Sequence, residues 1–292
     1  MKLSTTIDEQ IEKFLSRGMV ICNINTTKTI LSNVCYYRLS SYSFPFEILY
    51  PATEGRDHKY LPDTNFDDVY QLYNFDFEIR SILLKYLPII ETALKTTIIN
   101  IVSNKYIKSG TWFIDPEVVK YGFIIWFDKN VYNDTFKLNN TIKRHHKKYI
   151  NDKYAPAWKT IEFMTLGAVI NLFVAIKDDS LKREIAMKFR VRSLRIFVNY
   201  LESVRDLRNF CAHGSVLFDL RLNKGLAKGP ATPDFETAMK TSIQGVIKVV
   251  EYFLESVSPS LKNNFVKDIL RILMKYTTNS SVKNILEKCS GL

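Results

Sequence analysis

The chain has 292 residues, 46% hydrophobic and 24% charged, enough to bury a sizeable core as one large domain or two smaller ones, and its ten Gly and nine Pro are too few for a loop-rich all-β fold or a long disordered tract. Lys and Arg number 41 against 30 acids, a net charge of +11 that favours a polyanionic partner without choosing among RNA, DNA and acidic lipid. No apolar run reaches bilayer length and the N-terminus turns acidic at Asp8 and Glu9 without a signal-peptide core, so a cytoplasmic protein with no membrane partner is expected.

Apolar residues Ile7, Ile11, Phe14 and Leu15 recur at helical spacing before Gly18, which predicts a short helix over 6–19. A second short helix is expected over 29–37, leading into the aromatic run of 36–46, which is too dense to be solvated and reads as a packed N-terminal cap. Residues 54–63 are a polar loop punctuated by Gly55, His58 and Pro62. A long helix follows over 67–105, with an apolar face running from Leu72 through Ile79, Tyr86 and Leu94 to Ile101 and a kink expected at Pro88. The middle, 111–158, is less regular and holds the densest basic cluster, Lys143, Arg144, His145, His146, Lys147 and Lys148. Such a cluster is either a solvated helix face or a phosphate-contact strip beside an active site; adjacent histidines point different ways on a helix, which weakens any metal site.

From Ala155 another helix is predicted through Phe173, and a further one begins after Asp179. Residues 194–212 form the strongest helical pattern of the chain, ended by Gly214. A looser stretch with Gly225, Gly229, Pro230 and Pro233 precedes helices over 235–257, 260–276 and 282–288. Alternating Val-rich stretches are nearly absent and nothing repeats at a fixed period, so the expected fold is all-α, divided as a cap over 1–65 and a helical domain over 66–292 with a basic insertion over about 108–155. Cys22, Cys35, Cys211 and Cys289 have neither zinc-ligand nor redox spacing and read as reduced thiols; no metal and no cofactor is expected.

The chemistry concentrates at Arg208, Asn209 and His213, at the end of the strongest helix. Histidine exchanges protons near neutral pH, and arginine is a fixed cation whose fork matches phosphate oxygens. These are the groups that RNA cleavage by the ribose 2′-hydroxyl requires: His213 as general acid or base, Arg208 to stabilise the phosphorane, Asn209 to orient His213 or bind the phosphate. The alternative is an Arg and a His that cap a helix C-terminus. Asn209 and His213 share a face, but Arg208 lies roughly 140° round the helix from His213. Either the Gly214 turn swings His213 round, or two copies of the helix meet across a dimer axis and pool their groups, the arrangement favoured here.

The segment Leu207-Arg208-Asn209-Phe210-Cys211-Ala212-His213-Gly214 resembles the L-R-N-x-C-A-H block of the Abi-like abortive-infection family (the AbiD/AbiF group) and the R-x4–6-H motif of the HEPN superfamily. Further blocks agree in order: the T-x-x-x-Q opening from Thr6 through Gln10 to Arg17-Gly18, Tyr36-Tyr37-Arg38-Leu39-Ser40-Ser41-Tyr42, Ile90-Glu91-Thr92-Ala93-Leu94-Lys95, and Pro156-Ala157-Trp158 through Glu162 to Gly167. Ser41 stands where the family commonly has Gly, and the agreement weakens after about Phe218. The resemblance implies a HEPN-type helical bundle with additional N- and C-terminal helices, a homodimer joined through the motif helix, and a toxic, metal-independent endoribonuclease of bacterial anti-phage defence akin to the nuclease domains of RNA-guided effectors. It also implies, for some members, a small structured RNA that restrains the protein. Glu91 and Glu162 recur in these blocks as salt-bridge or capping residues, or as groups that orient Arg208, and Tyr37 and Arg38 are candidates for RNA contact beside Lys143, Arg144, His145, Lys147 and Lys148. Two other readings stand beside the nuclease: a catalytically silent RNA-binding module acting as sensor or scaffold, and a partner module for nucleotidyl transfer.

Overall fold

The Thr6 hydroxyl accepts a hydrogen bond from the Glu9 N–H while the Glu9 carboxylate accepts from the Thr6 N–H, a reciprocal cap that opens α1 (Ile7–Ser16). In the computed structural model, which describes residues 3–234 and 236–292, thirteen more helices follow and no sheet forms among the described residues: the fold is all-α. Where one helix was expected over 29–37 there are two. α2 (Ile24–Asn33) starts early behind an Asn23 cap, and extended backbone at Val34 and Cys35 breaks it. The aromatic run then winds into α3 (Tyr36–Ser43), which buries Leu39 and Tyr42.

Next comes α4 (Phe66–Lys105), a 40-residue helix that passes through Pro88 uninterrupted. Pro88 is exposed and so is Leu84, whose carbonyl loses its partner, so the missing bond falls on the solvated side, where water replaces it. The irregular middle holds α5 (Tyr121–Asn130), α6 (Asp134–Lys137) and α7 (Asn140–Lys148). The helix expected from Ala155 is divided into α8 (Ala157–Phe163) and α9 (Leu166–Ala175), because extended backbone at Met164 and Thr165 ends one and the Thr165 hydroxyl caps the next. Then follow α10 (Asp179–Lys188), α11 (Leu194–Ala212), α12 (Ile243–Val257), α13 (Pro259–Tyr276) and α14 (Ser280–Cys289). The expected helix start at Phe235 lies outside the described residues; α12 begins at Ile243 behind a Ser242 cap.

The spine is α4. Its apolar face packs against α3, α8, α9, α10, α11, α12, α13 and α14. Phe14, Phe66, Phe127 and Phe253 belong to one continuous core, so the interior crosses residue 65 without a gap. Among the described residues, no helix is long and apolar enough to cross a membrane.

Two charged groups sit inside the apolar face of this spine. Arg80 is buried and donates from Nη2 to Asp76 at 2.7 Å and to the Ser215 carbonyl at 2.6 Å. Its Nη1 donates to the carbonyls of Phe210 at 3.1 Å and Cys211 at 3.3 Å, in the last turn of α11. Asp76 accepts from the backbone N–H groups of Leu217 and Phe218, each at 2.8 Å, and from the Tyr42 hydroxyl at 2.9 Å. Burial pushes the Asp76 carboxyl up from its usual range, and Arg80 and these donors pull it back; four donors on two oxygens are satisfied only by the carboxylate. Lys95 repeats the device four turns on. It is buried, pairs with Glu91 at 2.8 Å and donates to the Glu162 carbonyl at the end of α8.

On α7, burial takes His145 out of the basic strip expected for RNA. The ring is 5% exposed and packs against Tyr149. Nε2 lies 3.1 Å from an Asp152 carboxylate oxygen but out of alignment, and neither ring nitrogen has a hydrogen-bond partner. Burial, then Lys159, pushes the His145 pKa below its usual value against the opposing pull of Asp152.

Removing one member of a buried, hydrogen-bonded ion pair strands the other. Arg80→Met is expected to lower stability by about 3–5 kcal/mol in urea unfolding, with Arg80→Lys recovering only part because an ammonium cannot fork across three carbonyls. A wild-type midpoint for Arg80→Met would show that the caps are dispensable. For His145 the folded pKa is depressed, so the unfolded chain binds more protons below the ordinary histidine value of about 6.5. Its contribution to stability is therefore complete above that value and lost as pH falls below it. His145→Leu, which removes two unsatisfied nitrogens, is expected to shrink the fall in Tm between about pH 7.5 and pH 5.5; identical falls in both proteins would rule the ring out as the cause.

Candidate active site

The Ser193 hydroxyl caps α11, and Phe197, Leu201, Val204, Leu207 and Cys211 turn inward at intervals of three and four. The helix ends at His213. The Ser215 N–H donates to the Phe210 carbonyl and the Gly214 N–H to the Cys211 carbonyl, the paired closure of a Schellman turn. Gly214 takes a φ of +68°, which L side chains rarely adopt, and Arg80 holds the same carbonyls from beneath. The buried side of this turn is fixed, and His213 stands on its exposed side. Burial pushes the Cys211 thiol up to about 12, so this neighbour of the motif is an inert packing group.

Arg208 and Asn209 are half-buried, and Arg208 Nη1 approaches Asn209 Oδ1 at 3.5 Å. Among the described residues, no carboxylate lies within 4.0 Å of Arg208. Asn209 lines a groove of about 420 Å³ along α11, whose walls carry Glu202, Arg205, Asp206 and Lys224. The His213 N–H donates to the Asn209 carbonyl at 2.9 Å, so the helical rotation between Arg208 and His213 persists to the end of the motif.

From α3, Arg38 comes to the same turn. A methyl group built on Gly214 would meet its guanidinium at 3.3 Å. The chain thus brings Arg38 beside Gly214, the residue next to His213, a proximity across 176 positions that spacing does not reveal. Tyr37, its neighbour, is 84% exposed. The carboxylates are placed otherwise. Glu91 is taken by Lys95, while the Glu162 side chain is exposed and only its carbonyl is used, as a helix end closed by Lys95. Glu91 thus serves as an ion-pair partner, whereas the Glu162 carboxylate makes no ion pair among the described residues.

Lys143, Arg144 and Lys147 line a shallow groove on α7 and Lys148 lies exposed beside it, none with a carboxylate partner among the described residues. That helix packs on α6 and α8, whereas α11 packs on α4, α9, α10 and α12, so the strip rides on a different layer from the motif. Asp76, Arg80 and Lys95 were not singled out in the sequence. The available signal was a charged i, i+4 pair, Asp76 and Arg80, interrupting the apolar stripe of a long helix.

No curated protein and no solved structure is similar enough to the chain to count as a match. The profile of the Abi-like protein family matches residues 29–219, which takes in α3, the spine and the whole of the motif helix with its turn. With more than half of its length matched, including the blocks around Arg38, Glu91, Trp158 and His213, the chain belongs to the Abi-like protein family.

Proposed function

We propose that the protein is a HEPN-type endoribonuclease of bacterial abortive infection, acting against phage without a metal ion. The observation that carries this reading is the placement of His213: exposed, at the end of a helix whose last turn is clamped from below, with Arg208 and Asn209 one turn back. A ring held by a rigid backbone and open to solvent suits general acid–base work better than capping, since Arg80 already satisfies the last carbonyls.

The ribose 2′-hydroxyl attacks the adjacent phosphorus, the bond from phosphorus to the 5′-oxygen breaks, and the products are a 2′,3′-cyclic phosphate and a 5′-hydroxyl. His213 accepts the proton of the 2′-hydroxyl or delivers one to the departing 5′-oxygen. Arg208 stabilises the added charge on the phosphorane, and Asn209 holds the phosphate or the ring. The RNA supplies the nucleophile itself, so the chemistry needs no cofactor, and DNA resists it.

A homodimer joined at the motif helix supplies both ring and guanidinium to one phosphate. Two features support it: the roughly 140° between Arg208 and His213 on one helix, and an apolar patch at Phe77, 58% exposed, and Leu84, 39% exposed, which flank Arg80 on α4. The unpaired cations of α7 suit the phosphates of a structured RNA partner. The reading as a silent RNA-binding module draws on one observation, the Arg208 contact to Asn209 rather than to a group at the His213 turn.

Incubated with total RNA in EDTA, the wild type is expected to give fragments ending in 2′,3′-cyclic phosphate, and His213→Ala or Arg208→Ala to lose at least about a hundredfold in rate while keeping helicity. Intact RNA after incubation with folded, dimeric wild type would transfer the assignment to the binding module. Mixing Arg208→Ala with His213→Ala is expected to restore part of the activity, because a mixed dimer has one intact group of each kind at its axis. Inactive mixtures of two folded, exchanging proteins would refute the pooled site.

A further inference from the structure

Beside the motif turn, the cap and the segment after α11 enclose a cleft of about 700 Å³. Its walls come from Lys13 on α1 and Arg17 at its end, from Tyr36, Tyr37 and Ser41 on α3, from the loop after α3, and from Val216 and Asp219, three and six residues beyond His213. Both acids on these walls are already matched. Glu47 is buried and receives Arg56 at 2.7 and 2.8 Å and His58 at 3.2 Å; burial works against its charge, but these contacts hold its carboxyl below the usual range. Asp219 accepts from the Tyr50 hydroxyl and pairs with Arg221. Arg56 is further stacked on Phe44, 4.1 Å from the ring centre.

Lys13 and Arg17 have no such match. They are four residues apart, Lys13 in the last turn of α1 and Arg17 at its C-terminal cap, and no carboxylate lies within 4.0 Å of either among the described residues. Arg17 is braced by a 3.0 Å hydrogen bond to the Tyr36 hydroxyl, and the Tyr36 ring is packed on Phe14. The wall therefore offers a braced guanidinium with an exposed ammonium beside it, a combination that suits a phosphate. At the rim stands Tyr37, whose ring is almost fully exposed and covered by no other side chain, a face on which a base can stack. Arg38, the next residue, rests on Gly214 and joins the cleft to the motif turn.

We propose that this cleft binds single-stranded RNA flanking the scissile phosphate, with one phosphate on Lys13 and Arg17 and the neighbouring base on Tyr37. The inference rests on the assignment of RNA as the substrate and extends it by a second contact region that selects unpaired strands. A stacking face of this kind requires a base free of its partner, so a duplex gains only the charge.

The test measures binding of a fluorescent, cleavage-resistant 2′-deoxy-substituted RNA oligonucleotide to the full chain carrying His213→Ala, so that cleavage does not enter. Adding Tyr37→Ala is expected to weaken single-strand binding about tenfold and duplex binding less than twofold. Adding Lys13→Glu is expected to weaken single-strand binding about tenfold and to lower the slope of log affinity against log salt by about one. Lys267→Glu, an exposed lysine on α13, changes the same net charge and is expected to act less than about twofold. Equal effects of Lys13→Glu and Lys267→Glu, or of Tyr37→Ala on both strand forms, would overturn the cleft. If the wild type cleaves RNA and the cleft variants still bind it normally, the cleft fails and the nuclease reading stands. If binding follows the cleft variants and the wild type cleaves nothing, the cleft stands and the nuclease reading fails.

Discussion

The Asp76–Arg80 pair is the constraint on which the candidate site depends. A helix end leaves carbonyls without partners, and burying them unpaired is costly. The last turn of α11 lies against the apolar spine, where water cannot serve those carbonyls. Arg80 serves two of them, Phe210 and Cys211, and the Ser215 carbonyl beyond the turn, and Asp76, paired with it, receives two N–H groups of the chain that leaves the turn. The pair therefore fixes both the way into the motif turn and the way out of it, and His213 inherits that rigidity without sharing the burial. Lys95 does the same for α8 through a single carbonyl. Fifteen positions apart, Arg80 and Lys95 stand about 22 Å from each other along α4, one helix end closed by each.

What this anchoring does not do is bring Arg208 and His213 to one point. Both belong to one regular helix, and the backbone bond from His213 to Asn209 preserves the rotation between them. A site built on rigid elements has to be completed from elsewhere. Besides the buried Arg80, the cation seen to come to the turn among the described residues is Arg38, carried by α3 from the N-terminal cap. That explains why the cap shares a continuous core with the helical domain: a flexibly tethered cap could not hold a guanidinium against Gly214.

Much of this was legible in the sequence, and the illegible part has a common cause. Helical spacing located α1, α4, α11, α13 and α14, because each presents an unbroken apolar stripe to the core. It ran α8 and α9 together, since both keep the same period on either side of two extended residues, and the Thr165 cap that separates them is one hydroxyl. It missed the early start of α2 because Asn23, Ile24 and the threonines after it have no strong stripe. The motif itself was visible as Arg208, Asn209 and His213, together with the turn at Gly214. The partners of the motif were not, because Arg80, Asp76 and Arg38 reach it across 130 or more positions. His145 illustrates the opposite error: composition placed it with its lysine neighbours, but on a helix Ile142 and His145 turn inward while Lys143, Arg144 and Lys147 face out.

The excess of positive charge has a distribution as well as a sum. Carboxylates are spent on lysines around the spine and the C-terminal helices, as in Lys85 with Asp268, Lys275 with Glu78 and Lys262 with Glu255. Exposed pairs of this kind add little stability, but they cancel the field locally. Among the described cations without a carboxylate partner, three sets are grouped: Lys13 and Arg17 in the cleft, Arg38 and Arg208 near the motif, and Lys143, Arg144, Lys147 and Lys148 on α7. At physiological ionic strength the field of a charge fades within about 8 Å, so scattered excess charge would attract a polyanion only weakly. Grouped and unpaired, charges reinforce one another's field on a polyanion. The first lines the cleft beside the segment after the His213 turn, the second stands on α3 and α11, and the third lies on α7 in another layer of the fold. On the proposed function, a strand at the motif has the cleft beside it, whereas contact with α7 as well requires an RNA large enough to span two layers of the fold.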